Sequence, residues 1–163
     1  MGMTIEQAIA ESIRAEKAAG NLYQGLVHKF SAEPEVAAFW NQFALEEANH
    51  LEWLNNLTGR LSKSDLEKSV DTATQDLFYQ VRLISWENAL ANVHDLADAF
   101  EEVNELENGE TNAVFRFLID HFEVDKPIRD FLLAQLAVHI ARLSTNLPEA
   151  YRDILTRQSI KAG

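Results

Sequence analysis

A carboxylate and an imidazole three residues apart, Glu47 and His50, are the side chains of this sequence best suited to chemistry. They lie in the segment Phe43–Leu54, where apolar residues recur every three or four positions and predict a helix with one buried face. Both side chains fall on that face. Because a buried charge is costly unless it is paired, they indicate either a hydrogen-bonded pair or a transition-metal site, since a metal ion would neutralise and bind both.

A second carboxylate has a similar position on the preceding predicted helix. Thr4 and Gln7 have the spacing of a capping box, and apolar residues follow at helical intervals as far as Phe30. Glu16 falls within this apolar stripe, and Tyr23 follows it two turns later. For Tyr23, packing in the core is favoured over a role as a radical or proton relay.

The rest of the chain is also predicted to be helical, with few glycines and prolines to interrupt it. Helix 2 is predicted from Pro34 to about Leu57, where Gly59 stops it. The other predicted elements are two short helices capped by Ser64 and Thr72, helix 3 from Ser85 to about Glu107, a break at Asn108-Gly109, a helical segment Asn112–Phe122, helix 4 from Pro127 to about Asn146, and a short tail helix over Glu149–Arg157.

The two halves of the chain resemble each other. Thr4–Ile9 matches Ser85–Leu90 at an offset of 81 residues, and Phe30 and Phe39 match Phe122 and Phe131 at an offset of 92. The difference of 11 residues corresponds to about three helical turns, so that an insertion of that length within helix 3 keeps its buried face in phase. Two related helical hairpins predict an all-α four-helix bundle with extra short helices in the central connection and at the C-terminus.

Length and composition are those of one globular domain. The 163 residues, of which 47% are hydrophobic and 25% charged, predict a single domain over residues 1–163. Its expected parts are a hairpin (4–58), a connection (59–84), a second hairpin (85–146) and a tail (147–163). The net charge of −12 disfavours nucleic acid or an anionic membrane as a partner.

The chain has no cysteine, which excludes disulfides, zinc ribbons, iron–sulfur clusters and a rubredoxin-type Cys₄ iron site. It also has no signal-peptide pattern at its N-terminus and no apolar run of membrane-spanning length. We therefore expect a cytoplasmic protein.

The chain resembles the rubrerythrin-type members of the ferritin-like superfamily over roughly residues 4–146. In that family each half contributes a glutamate from its first helix and a Glu-x-x-His from its second. Glu16, followed by Tyr23, matches the first element, and Glu47-x-x-His50 matches the second. The resemblance implies a ferritin-like bundle that holds two irons in its core and either reacts with oxygen or peroxide or stores iron.

The second half departs from this pattern on helix 3. At an offset of 81 residues Glu16 corresponds to Ala97. Four acidic residues would replace the lost carboxylate if the helix were rotated, although such a run is more typical of a solvated helix face: Asp98, Glu101, Glu102 and Glu105.

The second half also departs from the pattern on helix 4. At an offset of 92 residues Glu47 corresponds to His139 and His50 to Arg142. A gapped alternative places His139 at the histidine position and Leu136 at the glutamate position. In either alignment this half lacks its Glu-x-x-His, which predicts an incomplete di-iron site.

The predicted metal ligands are therefore Glu16, Glu47, His50 and His139. They supply two formal negative charges, whereas a di-iron centre needs several carboxylates to offset about four positive charges and bridge the ions. Mixed carboxylate and imidazole ligands favour iron or manganese, with zinc as an opportunistic occupant. His139 remains either a ligand or a hydrogen-bonded core histidine, and the Glu47–His50 pair either a ligand pair or a vestige of one.

Three functions remain open from the sequence. The leading hypothesis is a rubrerythrin-like iron-binding bundle, acting as an oxidoreductase on oxygen or peroxide, with a separate electron donor and a homodimeric assembly. The second is a metal-free helical scaffold that dimerises or binds a protein partner. The third is an iron-storage cage, which requires assembly into a large shell.

Overall fold

The computed structural model describes residues 2–83, 85–111, 113–114, 117, 130, 133–134, 137–138, 141–143, 148–149 and 152. Within these residues the chain is helical and contains no β-strand, only an isolated β-bridge between Thr4 and Ser69. The helices are α1 (Ile5–Lys29), α2 (Pro34–Thr58), α3 (Lys63–Leu66), α4 (Thr72–Arg82), α5 (Trp86–Asn92) and α6 (Leu96–Leu106), followed by a π-helical turn over Glu107–Thr111. The predicted all-α fold class is confirmed.

The long helices α1 and α2 begin and end at the predicted signals. Thr4 and Gln7 form the capping box: the Gln7 N–H donates to Thr4 Oγ1 at 3.3 Å and the Thr4 N–H donates to Gln7 Oε1 at 2.9 Å. Pro34 is the first residue of α2 and Gly59 its C-cap. The two helices form an antiparallel hairpin, because Ile9 shares a core cluster with Leu54 near one end while Phe30 packs near Val36 at the other.

The connection contains the two predicted short helices, but with different caps. Ser62 caps α3 by accepting from the Asp65 N–H, and Asp71 caps α4 by accepting from the Thr74 N–H. The caps therefore lie two residues and one residue before the positions that the sequence predicted. A Ser, Thr or Asp just outside the first turn accepts from the free N–H groups of that turn. Ser62 and Ser64 both fit this pattern, as do Asp71 and Thr72, so the local sequence does not choose between them.

The prediction of one continuous helix from Ser85 to Glu107 is wrong. Ser85 does cap a helix, α5, but Val93 is extended (φ −72°, ψ 111°) and ends it. Asp95 then starts α6, because its carboxylate accepts from the N–H groups of Ala97 and Asp98 at 2.8 and 3.0 Å. Val93 is itself buried in the core, so the break directs an apolar side chain inward.

The predicted break at Asn108-Gly109 is also wrong, because the chain continues there as the π-helical turn. Beyond it the described residues Ala113, Val114 and Phe117 are helical and buried. A π-helical turn accommodates about one extra residue in a helix that continues on both sides. The described residues of predicted helix 4 within 130–143 are helical as well.

In the described part of the chain, no helix is both long enough and apolar enough to cross a membrane.

Candidate metal centre

The structure places Glu16, Glu47 and His50 together between α1 and α2. Glu16 is 5% exposed and Glu47 is 4% exposed, and the partly buried His50 lies one turn beyond Glu47 on α2. The four-residue turn between Lys29 and Pro34 joins α1 and α2 as antiparallel neighbours, so that the apolar stripes carrying these residues face each other. The three predicted residues of the first half therefore converge.

The atoms are spaced as ligands of one ion. His50 Nδ1 lies 3.1 Å from Glu16 Oε2 and 3.2 Å from Glu47 Oε2, and one ligand atom from each side chain lies within 4.8 Å of the others. Oxygen and nitrogen ligands bound at about 2.0–2.2 Å from an ion lie roughly 3 Å apart around it. Among the described residues, this is the one group of three His, Cys, Asp or Glu side chains with such spacing.

The same distances are hydrogen-bonding distances. When Nδ1 of His50 carries a proton, it donates to the two carboxylates, which explains how two acidic side chains tolerate burial. To bind a metal ion through Nδ1, that nitrogen must first lose its proton, so that ion binding and protonation compete. The arrangement serves either a metal site or a hydrogen-bonded triad.

Glu107 is a buried carboxylate that the sequence reasoning missed. It is 2% exposed and accepts a hydrogen bond from the hydroxyl of Tyr23. The second half thus has an inward-facing acid at the start of the π-helical turn, outside the group formed by Glu16, Glu47 and His50. The signal that would have found it is the spacing of Ala99, Val103 and Glu107, since residues four apart share a helix face and all three are buried.

The four acidic residues suggested as replacements on helix 3 do not face the core. Asp98 accepts from the backbone N–H of His94 at 2.8 Å, and this bond, more than the ring of His94, holds the pKa of its carboxyl below the usual range. Glu102 is half-buried and accepts from Asn92 Nδ2 at 3.1 Å. Glu101 and Glu105 are exposed. The rotation that would turn these residues inward is therefore not observed in α6, which carries them.

Aromatic side chains lie two turns from the ligand group on both helices. Tyr23 follows Glu16 by seven residues and Trp40 precedes Glu47 by seven. Both are fully buried, with ring centroids 6.0 Å apart and planes inclined by 23°. Phe43 contacts both, at 5.2 Å from Tyr23 and 6.0 Å from Trp40. The prediction that Tyr23 packs in the core is confirmed.

Of the predicted second-half residues, His139 lies outside the described part of the chain. Arg142, which the repeat aligns with His50, instead forms an ion pair with Glu46 on α2 and is half-buried. Its neighbour Leu143 packs in the same core cluster as Tyr23 and Trp40. The described residues Arg142 and Leu143 thus lie against the hairpin of α1 and α2, and Arg142 makes the contact with α2.

The fold and the group of carboxylates and imidazole define a ferritin-like helical bundle with three side chains spaced to hold a metal ion. The family model for rubrerythrin matches residues 7–124, and the chain belongs to the rubrerythrin family. Neither a curated protein nor a solved structure shows significant similarity to it. Rubrerythrins generally bind iron, which fits two buried glutamates and a histidine converging on one point.

Proposed function

We propose that the protein binds one iron ion, or manganese or zinc in its place, through Glu16, Glu47 and His50, and acts as an oxidoreductase on oxygen or peroxide. The observation that supports this most is the convergence of two buried carboxylates from different helices on one imidazole nitrogen, within 3.2 Å. His139 is proposed as a fourth ligand. Electrons come from a separate donor, because the cysteine-free chain has no rubredoxin-type iron.

Charge balance favours one ion over two. The carboxylates of Glu16 and Glu47 offset the charge of a single divalent ion, whereas a dinuclear centre needs further bridging carboxylates. The only other buried carboxylate among the described residues, Glu107, accepts a hydrogen bond from Tyr23 and is not part of the ligand group.

Each side chain has a distinct role in this proposal. Glu16 and Glu47 provide the negative charge that makes burial of a cation favourable, and His50 completes the set from the next turn of α2. Phe43 is fully buried and precedes Glu47 by one turn on the same face of α2, so the group is bordered on this side by the apolar core. A bound ferrous ion would supply an electron and an open position for oxygen or peroxide.

A metal-free scaffold is the second candidate function. It is favoured by the hydrogen bonds from His50 to both glutamates, which satisfy the buried polar atoms without an ion. In this alternative the triad is a remnant of a metal site and the surface of the bundle binds a second copy or another protein.

Elemental analysis of protein purified without a chelator or a histidine tag separates the two. Stoichiometric iron or manganese that is lost in Glu47→Ala and His50→Ala supports the metal site. The matched control is Glu52→Ala, an exposed glutamate on the same helix, which should leave the metal content unchanged.

Thermal unfolding gives an independent measurement. An ion that binds only the native state raises the free energy of unfolding by about 2.7 kcal/mol at a concentration one hundred times its dissociation constant. Anaerobic addition of ferrous iron should therefore raise the melting temperature of the wild type and of Glu52→Ala, but not of Glu47→Ala. Metal-free wild-type protein with unchanged melting would support the scaffold instead.

A further inference from the structure

Arg142 lies at the position in the second half of the chain that corresponds to the ligand His50 in the first. The two residues match at an offset of 92 residues, and both side chains are half-buried. A guanidinium has only N–H donors, no lone pair with which to bind a metal, and a proton that it keeps at every pH at which proteins fold. Arginine therefore places a fixed positive charge where the first half has a metal-binding nitrogen.

The exposure of Leu133 supports this offset over the gapped alignment, in which His139 corresponds to His50. Leu133 is 45% exposed. At an offset of 92 residues it corresponds to Asn41, which is also exposed. The gapped alignment pairs it with Ala44, which is only 7% exposed. The solvent-facing side of residues 130–143 thus favours the alignment that equates Arg142 with His50.

Glu46 holds the guanidinium of Arg142 next to the ligand group. The two side chains form an ion pair, and both are half-buried. Glu46 directly precedes Glu47 and lies four residues before His50, and residues four apart are neighbours on a helix surface. The ion pair is therefore formed on the side of α2 that carries the ligands.

This ion pair removes two ligands from a second metal position at once. Arginine stands where an imidazole would supply a nitrogen ligand, and its charge neutralises the carboxylate of Glu46, which is the acidic side chain nearest to His50 along this face of α2 after Glu47. A second divalent ion would have to displace the guanidinium from Glu46 and leave a half-buried positive charge beside itself, which is unfavourable in both respects.

We propose that Arg142 is the residue that limits the metal centre to one ion. This inference rests on the proposed one-ion site formed by Glu16, Glu47 and His50, and it names the side chain that keeps a second ion out. The guanidinium takes the place of the second imidazole, and Glu46 balances its charge in place of a metal ion.

Replacement of Arg142 by histidine tests this proposal by supplying both missing ligands. The new imidazole brings a metal-binding nitrogen, and the carboxylate of Glu46 loses its guanidinium partner. Mixed carboxylate and imidazole ligands suit a divalent first-row ion. Arg142→Lys is the conservative control, because an ammonium group keeps the positive charge and has no lone pair for a metal.

The experiment is a titration of metal-free, full-length protein with Mn²⁺. Equilibrium dialysis followed by elemental analysis counts the ions per chain, and electron paramagnetic resonance shows whether two Mn²⁺ ions are close enough to couple. We expect one ion in the wild type and in Arg142→Lys, and two coupled ions in Arg142→His. The matched control is Arg152→His, which adds a histidine at an exposed arginine and should leave the count at one.

A second pair of variants tests the part played by Glu46. In the Arg142→His background, Glu46→Gln should return the count from two ions to one, because the second position loses its carboxylate while the first site keeps its ligands. Glu52→Gln, at an exposed glutamate of α2, should leave two ions bound in the same background. Far-ultraviolet circular dichroism and urea unfolding establish that each variant is folded.

The outcomes separate this inference from the proposed function. Folded Arg142→His that still binds a single ion would overturn the inference and leave the one-ion site standing. The same holds if the second ion is gained in Leu136→Glu, which rebuilds a Glu-x-x-His with His139, and not in Arg142→His. Wild-type protein that binds no Mn²⁺ and no iron would overturn the proposed function and this inference together.

Discussion

Gly25 of α1 lies so close to Leu90 of α5 that a Cβ built on it would come within 2.5 Å of Leu90 Cδ2 and 3.3 Å of Leu90 Cγ. Lys29, one turn further along α1, also contacts this turn of α5, because its Nζ donates to the Leu90 carbonyl at 3.3 Å. The first helix of the second half can approach α1 this closely because residue 25 has no side chain. This contact sets the position of α5 against the hairpin that carries the ligand group.

We predict that Gly25→Ala and Gly20→Ala differ in their effects on stability. Each replacement should gain about 1 kcal/mol of helix propensity. At residue 20 the new methyl group has room, at 3.5 Å from Glu47 Cβ, so the gain is kept. At residue 25 the clash with Leu90 should cancel this gain and lower the free energy of unfolding by a further ~1–3 kcal/mol. Urea-induced unfolding of the two variants measures the difference.

A double variant provides the control for this prediction. Leu90→Ala removes the atoms that the new methyl group would meet, so Gly25→Ala should become neutral or stabilising in that background. Equal stability of Gly20→Ala and Gly25→Ala in the wild-type background would show that Leu90 moves aside without cost.

We expect the group formed by Glu16, Glu47 and His50 to lower the free energy of unfolding of the metal-free protein. Glu16 and Glu47 are two like charges buried within reach of one imidazole, and like charges in one site disfavour each other's ionised form. We predict that Glu16→Gln raises the free energy of unfolding of the metal-free protein by about 1 kcal/mol, because it removes one buried charge and leaves His50 paired with Glu47. The same substitution should abolish the stabilisation by ferrous iron.

Both effects are measured by chemical unfolding with and without anaerobic iron, and Glu52→Gln serves as the exposed control on α2. If Glu16→Gln instead lowers the stability of the metal-free protein, then the triad stabilises the fold without an ion. That result would favour the scaffold function.

The extent to which the sequence predicts this molecule differs between its halves. The capping box at Thr4 and the start at Pro34 are local signals, and they place Glu16 and Glu47 on inward faces correctly. The break at Val93 coincides with a local signal, the capping carboxylate of Asp95, whereas the π-helical turn joins buried residues on either side of it. Glu107 shares the four-residue spacing of Ala99 and Val103, so the sequence carries a signal for its burial, but it carries none for the hydrogen bond that Glu107 accepts from Tyr23 on another helix.

The contact between α4 and α1 should depend on pH through Glu11. Arg82 Nη2 donates to Glu11 Oε1 at 2.6 Å, and this bond, aided by Arg14, holds the pKa of Glu11 below its usual value of 4.5. Since the folded-state pKa lies below the unfolded value, the stabilisation is present above about pH 4.5 and is lost as the pH falls through the folded-state pKa. We predict that Arg82→Gln costs roughly 0.5–1 kcal/mol at neutral pH, because its guanidinium is largely exposed.

Urea unfolding at a series of pH values should show the difference between wild type and Arg82→Gln shrinking below pH 4.5, and high salt should reduce it at neutral pH. Lys63→Gln breaks the fully exposed pair with Glu67 and should have almost no effect at any pH. If the difference in stability between wild type and Arg82→Gln does not change with pH, Arg82 acts through packing. One such contact is with Tyr79, because Arg82 Cζ lies 5.7 Å from the centroid of its ring.

The π-helical turn over Glu107–Thr111 lies between two well-packed segments. Leu106 is buried before it and Ala113 after it. A π-helical turn holds about one residue more than an α-helical turn without changing the direction of the flanking segments. Removing one exposed residue from the turn should therefore restore regular α-helix and keep both buried segments in place.

We predict that deletion of Gly109 changes the free energy of unfolding by no more than about 1 kcal/mol, because Leu106 and Ala113 keep their orientation. Deletion of Glu101, which is equally exposed but lies in regular α-helix, rotates one side of α6 by roughly 100° and turns either Ala99 or Val103 out of the core. It should cost several kilocalories per mole. Urea unfolding and near-ultraviolet circular dichroism compare the two, and equal losses would mean that the turn is required by the packing around it rather than inserted into it.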